Sequence, residues 1–250
     1  MSVHSPIEQF VIQNLIPVHI GGFDLSFTNS SLWMVIGAIV SVGFLTIAMR
    51  RHAVVPGRMQ MMAEMLYEFV ARMVQENVGK GGRKYFPLIF TTFVFVLMGN
   101  VLGLLPNSFT YTSHLIVTGA LALFIFFTVI FFGFYNHGLK FFSLFLPPNV
   151  PWWLVAFIVP IEVISFFVRP VTLSVRLFAN MMAGHLILKV VMGFAVSAAT
   201  MGAAWTLLGL FPVLVDVALL LFECLVAVIQ AYVFAILCCV YLKDTVDLHH

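Results

Sequence analysis

Residues 161–194 read IEVISFFVRPVTLSVRLFANMMAGHLILKVVMGF, a stretch apolar and long enough to cross a membrane, with Arg176 as a fixed positive charge inside it. A guanidinium does not give up its proton, and a charge at the centre of a bilayer-spanning helix costs from about 2.5 to more than 10 kcal/mol. Such a residue has to face protein or water. Asn180 and His185 follow on the same element, so polar chemistry is concentrated where the surrounding sequence avoids it. The whole chain has the same bias. Of its 250 residues 62% are hydrophobic and 9% charged, with a mean hydropathy of +1.09, whereas a soluble domain carries about 25% charged residues. The expected fold class is an all-α polytopic membrane protein. A net charge of +2, scattered along the chain, offers no nucleic-acid surface.

Outward from this stretch the chain divides into an outer polar lead-in, residues 1–30, and a single helical membrane domain, residues 31–250. The lead-in contains Glu8, Asp24, Pro6 and Pro17 and lacks the basic region and short apolar core of a signal peptide. The first span is expected at residues 31–49. Residues 58–78 place Met61, Met62, Met65, Leu66, Phe69, Val70, Met73 and Val74 at helical spacing against Gln60, Glu64, Glu68, Arg72 and Gln75, the pattern of an amphipathic surface helix. A second span at 86–105, closed by Pro106, and a third at 114–135 should form a tight antiparallel hairpin. Between Phe141 and Trp153 the residues Pro147, Pro148 and Pro151 oppose regular helix, while Trp152 and Trp153 suit the water interface.

Two long helices are expected over 159–196 and 205–242, giving five crossings in all. The last would extend about 57 Å at 1.5 Å per residue, against a hydrocarbon thickness of about 30 Å, so strong tilt, a break, or both are required. Arg50, Arg51, Arg58, Lys80, Arg83 and Lys84 all fall between the first two spans. By the positive-inside rule the N-terminus is outside and the C-terminus inside. Cys224, Cys238 and Cys239 lie in an apolar helix without ligand-like spacing and read as packing residues.

The ionisable groups of the last two crossings are Glu162, Arg169, Arg176, His185, Lys189, Asp216 and Glu223, joined by the amides of Asn180 and Gln230. Arg169 and Lys189 are long enough to snorkel to opposite interfaces, and Asp216 has a plain reading as a partner of nearby backbone. In an antiparallel hairpin Arg176 falls level with Gln230, and His185 with Glu223. Arg176 and Asn180 share a face, whereas His185 lies about 180° from Arg176 on an ideal helix. A conduction path through both therefore has to wind round the helix or follow a distortion.

This set suggests proton conduction without covalent catalysis. His185 exchanges protons near neutral pH, Glu223 accepts one, and Asn180 and Gln230 orient water or a carboxylate. Arg176 cannot relay a proton but attracts a carboxylate and repels hydronium, which makes it a barrier. Glu162, toward the inner surface, is the candidate for a second path beside a purely structural role.

The run SVRLFANMMAGH at 174–185 resembles the signature helix of subunit a (subunit 6) of the rotary F-type ATP synthase. The opening Ser5–Phe10, the run Gly99–Pro106 and the run Gln230–Phe234 carry the resemblance over nearly the whole chain. It implies that Arg176 faces a ring of c subunits with mid-membrane carboxylates, between two offset aqueous half-channels. Asn180 and Gln230 then flank the arginine, and His185 with Glu223 serves the outer half-channel. Many bacterial members carry a carboxylate at the position of His185 and a histidine at that of Glu223, so the arrangement is similar to the alphaproteobacterial and mitochondrial branch.

Its implied partners are the c-subunit ring, the peripheral stalk b subunits, the other ATP synthase subunits and the lipid bilayer, with no metal and no cofactor. The implied location is the bacterial inner membrane, with the mitochondrial inner membrane as the alternative. No phosphate-cradling GxxxxGK[ST] loop is present, so ATP is expected on other subunits. From the residues alone two further classes stay open. One is a proton-coupled secondary transporter, and the other a haem-binding electron carrier using His114 and His185.

Overall fold

The computed structural model describes residues 10–17, 19, 20, 23, 24, 26–50, 53–105, 108–146, 151–200 and 203–246. Ser5–Gln9, Arg51, Pro106, Asn107, Pro147 and Pro148, which figure in the sequence reading, lie outside the described residues. The described chain holds six α-helices: α1 (Asn29–Met49), α2 (Arg58–Val78), α3 (Phe86–Gly103), α4 (Leu115–His137), α5 (Trp152–Thr200) and α6 (Ala203–Val246). Among the described residues five helices are long and apolar enough to cross a membrane, all but α2. The fold is an all-α polytopic membrane protein.

The polar lead-in has more order than its composition suggests. β1 (Asn14–Ile16) pairs antiparallel with β4 (Phe27–Thr28), and β2 (His19–Ile20) with β3 (Phe23–Asp24). The closure depends on Asn29, whose Nδ2 donates to the Val11 carbonyl (3.2 Å) while its Oδ1 accepts from the Gln13 amide (3.2 Å). Thr28 caps α1 by accepting the Ser31 amide at 3.3 Å.

α2 is amphipathic, but its faces divide differently from the expected pattern: Val70, Met73, Val74 and Val78 are buried together with Gln60, while Met61, Met62, Met65 and Phe69 of the expected apolar face are exposed. It stops at Gly79, whose φ of 75° favours glycine. A 3₁₀ turn, Lys80–Tyr85, then leads into α3 with Pro87 in its first turn.

Both final helices extend beyond their expected limits. α5 begins at Trp152, where Pro151 offers its carbonyl to the amides of Leu154 (2.9 Å) and Val155 (3.3 Å). Pro151 thus precedes the helix and does not interrupt it. Pro160, Pro170 and Pro212 sit inside α5 and α6 without ending either, as membrane helices tolerate when neighbours re-satisfy the freed backbone. The interval before α5 is also partly ordered, as a 3₁₀ helix over Gly138–Phe145. At about 1.5 Å per residue the 49 residues of α5 extend about 73 Å. Only a strongly inclined course keeps so much apolar helix within about 30 Å of hydrocarbon.

The main core lies where α3, α4, α5 and α6 meet. Ile89, Phe93 and Val96 pack with Ile125 and Val129, Leu173, Leu177 and Met181, and Ala231, Phe234 and Ala235. Cys238 and Cys239 are buried free thiols within it, which agrees with a packing role, whereas Cys224 is exposed and departs from the packing expected of it. Tyr111, in a 3₁₀ turn before α4, drives its ring between α1 and α3 and donates its hydroxyl to the Phe95 carbonyl (3.2 Å). Burial pushes its pKa upward. Gly99 makes the insertion possible, because a Cβ there would collide with the phenol ring.

Gly99→Ala should therefore destabilise the purified protein in detergent by about 1–3 kcal/mol, the usual cost of overpacking. Gly43→Ala, with nothing within 4 Å of the added carbon, should leave the melting temperature unchanged or slightly raised. Equal melting temperatures for the two variants would remove Tyr111 from its place as an anchor.

Candidate functional site

Two pairs of polar side chains join α5 to α6. Asn180 Nδ2 donates to Gln230 Oε1 at 3.0 Å. Farther along, His185 Nδ1 approaches Glu223 Oε1 at 3.6 Å, with only 12% and 6% of the two side chains exposed. The pairing of His185 with Glu223 follows the depth expected of an antiparallel hairpin. Gln230 departs from it, since it meets Asn180, one turn beyond Arg176, in place of Arg176 itself.

The close approach at Glu223 has a specific cause. A Cβ at Gly184 would run into the Glu223 carboxylate, so only glycine lets α6 bring that acid against α5. The His185 ring has neighbours in two further directions. Its Nε2 is 2.9 Å from Thr110 Oγ1, and Phe10 lies 6.5 Å away between ring centroids. Phe10 and Thr110 bring the lead-in and the α3–α4 connection to the site, neither of which carries a charge that sequence inspection could single out.

A third helix also contributes. Asn100 on α3 is fully buried and donates Nδ2 to the Ala227 carbonyl (3.1 Å), midway between Glu223 and Gln230 on α6. Buried polar atoms without a hydrogen-bond partner among the described residues line the same helix: Asp216 Oδ1, both Glu223 oxygens, Asn100 Oδ1 and Gln230 Nε2. Asp216 Oδ1 therefore does not find the backbone partner that its plain reading supplied. Glu223 and Gln230 are buried, facing into the protein.

Arg176 is placed quite differently. It is exposed on the outer flank of α5, together with Ala179 and Ala183, and makes no ion pair among the described residues. Leu173, Leu177 and Met181 form the buried side of the same helix. Arg176 and His185 thus occupy opposite sides of α5, as the helical spacing requires. Glu162, two heptads before Arg176, reaches Arg169 at 3.9 Å. The Arg169 guanidinium in turn lies over the ring of Tyr241 (5.7 Å), so this arginine is held against α6 and does not simply snorkel.

Comparison with known proteins assigns the chain. A family model described as ATP synthase A chain matches residues 31–243. The chain belongs to the ATP synthase A chain family. It is 52% identical to ATP synthase subunit a of Mesorhizobium japonicum over 98% of this chain and 97% of that one. It is 51% identical to that of Rhizobium etli, over 97% of each chain, and 48% identical to that of Rhodospirillum rubrum, over 99% of this chain and all of the other. Membership in the ATP synthase A chain family makes this a multi-span channel subunit of a proton-transporting complex, with ATP chemistry belonging to other subunits. The transporter and haem-carrier alternatives give way to it, and the relatives include alphaproteobacterial chains, the branch that the resemblance implied.

A double-variant cycle tests this geometry. Replacing either Asn180 or Gln230 by Leu leaves the other amide, half-buried or buried, without its partner, at about 1–3 kcal/mol, whereas the double replacement removes both and should cost less than the sum. Additive losses in detergent unfolding would show that the two amides are not coupled.

His114, expected to open the third span, instead caps α4 one residue before the span Leu115–His137, its ring stacked on Phe109 at 5.0 Å. Burial lowers its pKa, so the unfolded chain takes up a proton that the folded one refuses. The stabilising effect of keeping it neutral is complete above the ordinary histidine value of about 6.5 and declines as pH falls through it. His114→Gln should flatten the acid side of the melting-temperature profile relative to the unaltered protein. Parallel profiles would contradict the assignment.

Proposed function

We propose that this chain is the stator subunit that delivers protons to, and removes them from, a rotating ring of c subunits. In this reading Arg176 separates two half-channels. The observation that carries it is the exposure of Arg176 on the outer flank of α5, with small residues at Ala179 and Ala183 beside it. A bare guanidinium in lipid is costly, and small residues permit another helix to come close. A partner with an ionisable carboxylate at mid-membrane depth answers both features. Arg176 attracts that carboxylate in its ionised form and repels hydronium, so protons cannot pass directly between the two sides.

The outer half-channel runs past His185 and Glu223 on the inward side of α5, then along α6 to Gln230 and Asn180, which bring the path round toward Arg176. Buried donors and acceptors without a hydrogen-bond partner among the described residues, at Asn100, Glu223 and Gln230, are groups suited to hold ordered water. Glu162, two heptads on the other side of Arg176, serves the inner path. With the N-terminus outside and the C-terminus inside, the location is the bacterial inner membrane, and the b subunits of the peripheral stalk hold the chain against the ring.

Arg176→Ala should abolish proton-driven ATP synthesis in membrane vesicles while the detached catalytic head still hydrolyses ATP. Arg176→Lys should fail or nearly so, because a compact ammonium replaces a fixed planar fork. A fully assembled Arg176→Ala complex with normal synthesis rates would end the mechanism. Cysteine at Asn180 should cross-link to the carboxylate-bearing helix of the ring, whereas cysteine at Phe178, roughly opposite on α5, should not.

The His185 and Glu223 pair has its own test. Each single replacement, His185→Glu or Glu223→His, should slow synthesis, and the double exchange should recover part of the loss. A double variant no better than the worse single one, at matched assembly, argues against a coupled pair.

A further inference from the structure

α6 carries a second acid, Asp216, seven residues before Glu223, just as Glu223 stands seven before Gln230. A heptad returns to the same face of a helix with a drift of about 20°, so the three side chains form one stripe. Each presents a buried polar atom without a hydrogen-bond partner among the described residues: Asp216 Oδ1, both oxygens of Glu223 and Gln230 Nε2. Asp216 also forms no ion pair with a described residue. A carboxylate left unpaired within a span is costly, and buried polar atoms that the protein leaves open are satisfied by ordered water. With the C-terminus inside, the N-terminal end of α6 is the outer one. Asp216 sits only five residues into the apolar part of that helix, Phe211–Lys243, about 8 Å along its axis. Water from the outer surface has a short way to reach it.

We infer that Asp216 collects protons at the outer mouth of the half-channel and passes them through bridging water to Glu223. The two acids are not bonded to each other, since neither Glu223 oxygen has a hydrogen-bond partner. Their backbone positions lie about 10 Å apart along the helix, a gap that about three water molecules fill at about 2.8 Å per step. An incoming hydronium gives its proton to the Asp216 carboxylate, forming one O–H bond, and leaves as water. That O–H bond then breaks as the water file takes up the proton and delivers another to Glu223. One proton has moved inward, and Asp216 is ionised again. The two carboxylates are close enough for their charges to act on each other. A proton on Asp216 relieves the repulsion at Glu223, and its passage inward restores the charge that draws the next one.

The inference rests on the reading of Glu223 as part of the outer half-channel, and one set of variants in the assembled complex separates the two. Asp216→Asn keeps the shape of the side chain and removes its charge. At matched assembly it should lower both proton-driven synthesis and passive proton flux, through vesicles stripped of the catalytic head, about tenfold, the lower end of charge focusing in a cleft. Asp216→Glu should retain most of both. Access to water is a readout that a merely structural acid would not move. Asp216→Cys should react with a membrane-impermeant sulfonated maleimide applied from the outer side and not from the inner, above the background of the unaltered complex with its three cysteines. Val217→Cys, about 100° round the helix at an exposed position, should stay at background.

Normal flux in Asp216→Asn beside lost synthesis in Glu223→Gln overturns the inference and leaves the half-channel reading standing. Absence of outer-side labelling at Asp216→Cys, or equal labelling at the two cysteine positions, overturns it whether or not Asp216→Asn assembles. Full synthesis in Glu223→Gln removes the half-channel reading itself, and with it the acceptor that the inference requires.

Discussion

The seam between α5 and α6 is set by a close approach at Gly184, where the absence of a side chain admits the Glu223 carboxylate. Four residues along α5 and seven along α6, Asn180 closes on Gln230 at 3.0 Å. These two contacts fix the register of the longest helices in the molecule, and register decides everything polar that follows. It turns Glu223 and Gln230 inward, leaves Arg176 on the outer flank, and sets His185 within reach of Thr110. A slip by one residue would rotate each helix by about 100° relative to its partner's polar groups, which would turn the guanidinium toward the apolar core in place of Leu173, Leu177 and Met181 or expose the carboxylate to lipid. Both alternatives are expensive, so the register is enforced by the cost of its neighbours as well as by its own bonds.

The charged and amide groups were legible in the sequence because a membrane helix makes them conspicuous. Arg176, His185 and Glu223 interrupt apolar runs, and helical spacing alone places Arg176 and His185 on opposite sides of α5. What spacing could not supply was the offset between helices. It put Gln230 level with Arg176, whereas the side chain meets Asn180, four residues farther along α5.

Other participants gave weaker signals. Thr110 and Phe10 lie in connections where such residues are ordinary, and Asn100 sits in a span whose neighbours drew no attention to it. The glycines were harder still: Gly184 and Gly103 matter for what is absent from them, which shows only when the opposing side chain is in place. The short strands of the lead-in were hidden for a similar reason. Beside the β1–β4 pair one side chain, Asn29, bonds across the chain to Val11 and Gln13, an interaction without a periodic trace in sequence.

The exposed guanidinium has a consequence for how the subunit is built into the membrane. An unassembled copy keeps Arg176 on a flank that would otherwise face hydrocarbon, and the penalty, between about 2.5 and more than 10 kcal/mol, falls on the solitary chain alone. Any neighbour that solvates the charge lowers the free energy of the pair by a comparable amount. Orphaned copies are thereby held at a higher free energy than incorporated ones, and the subunit's tenure in the bilayer is tied to the company it keeps.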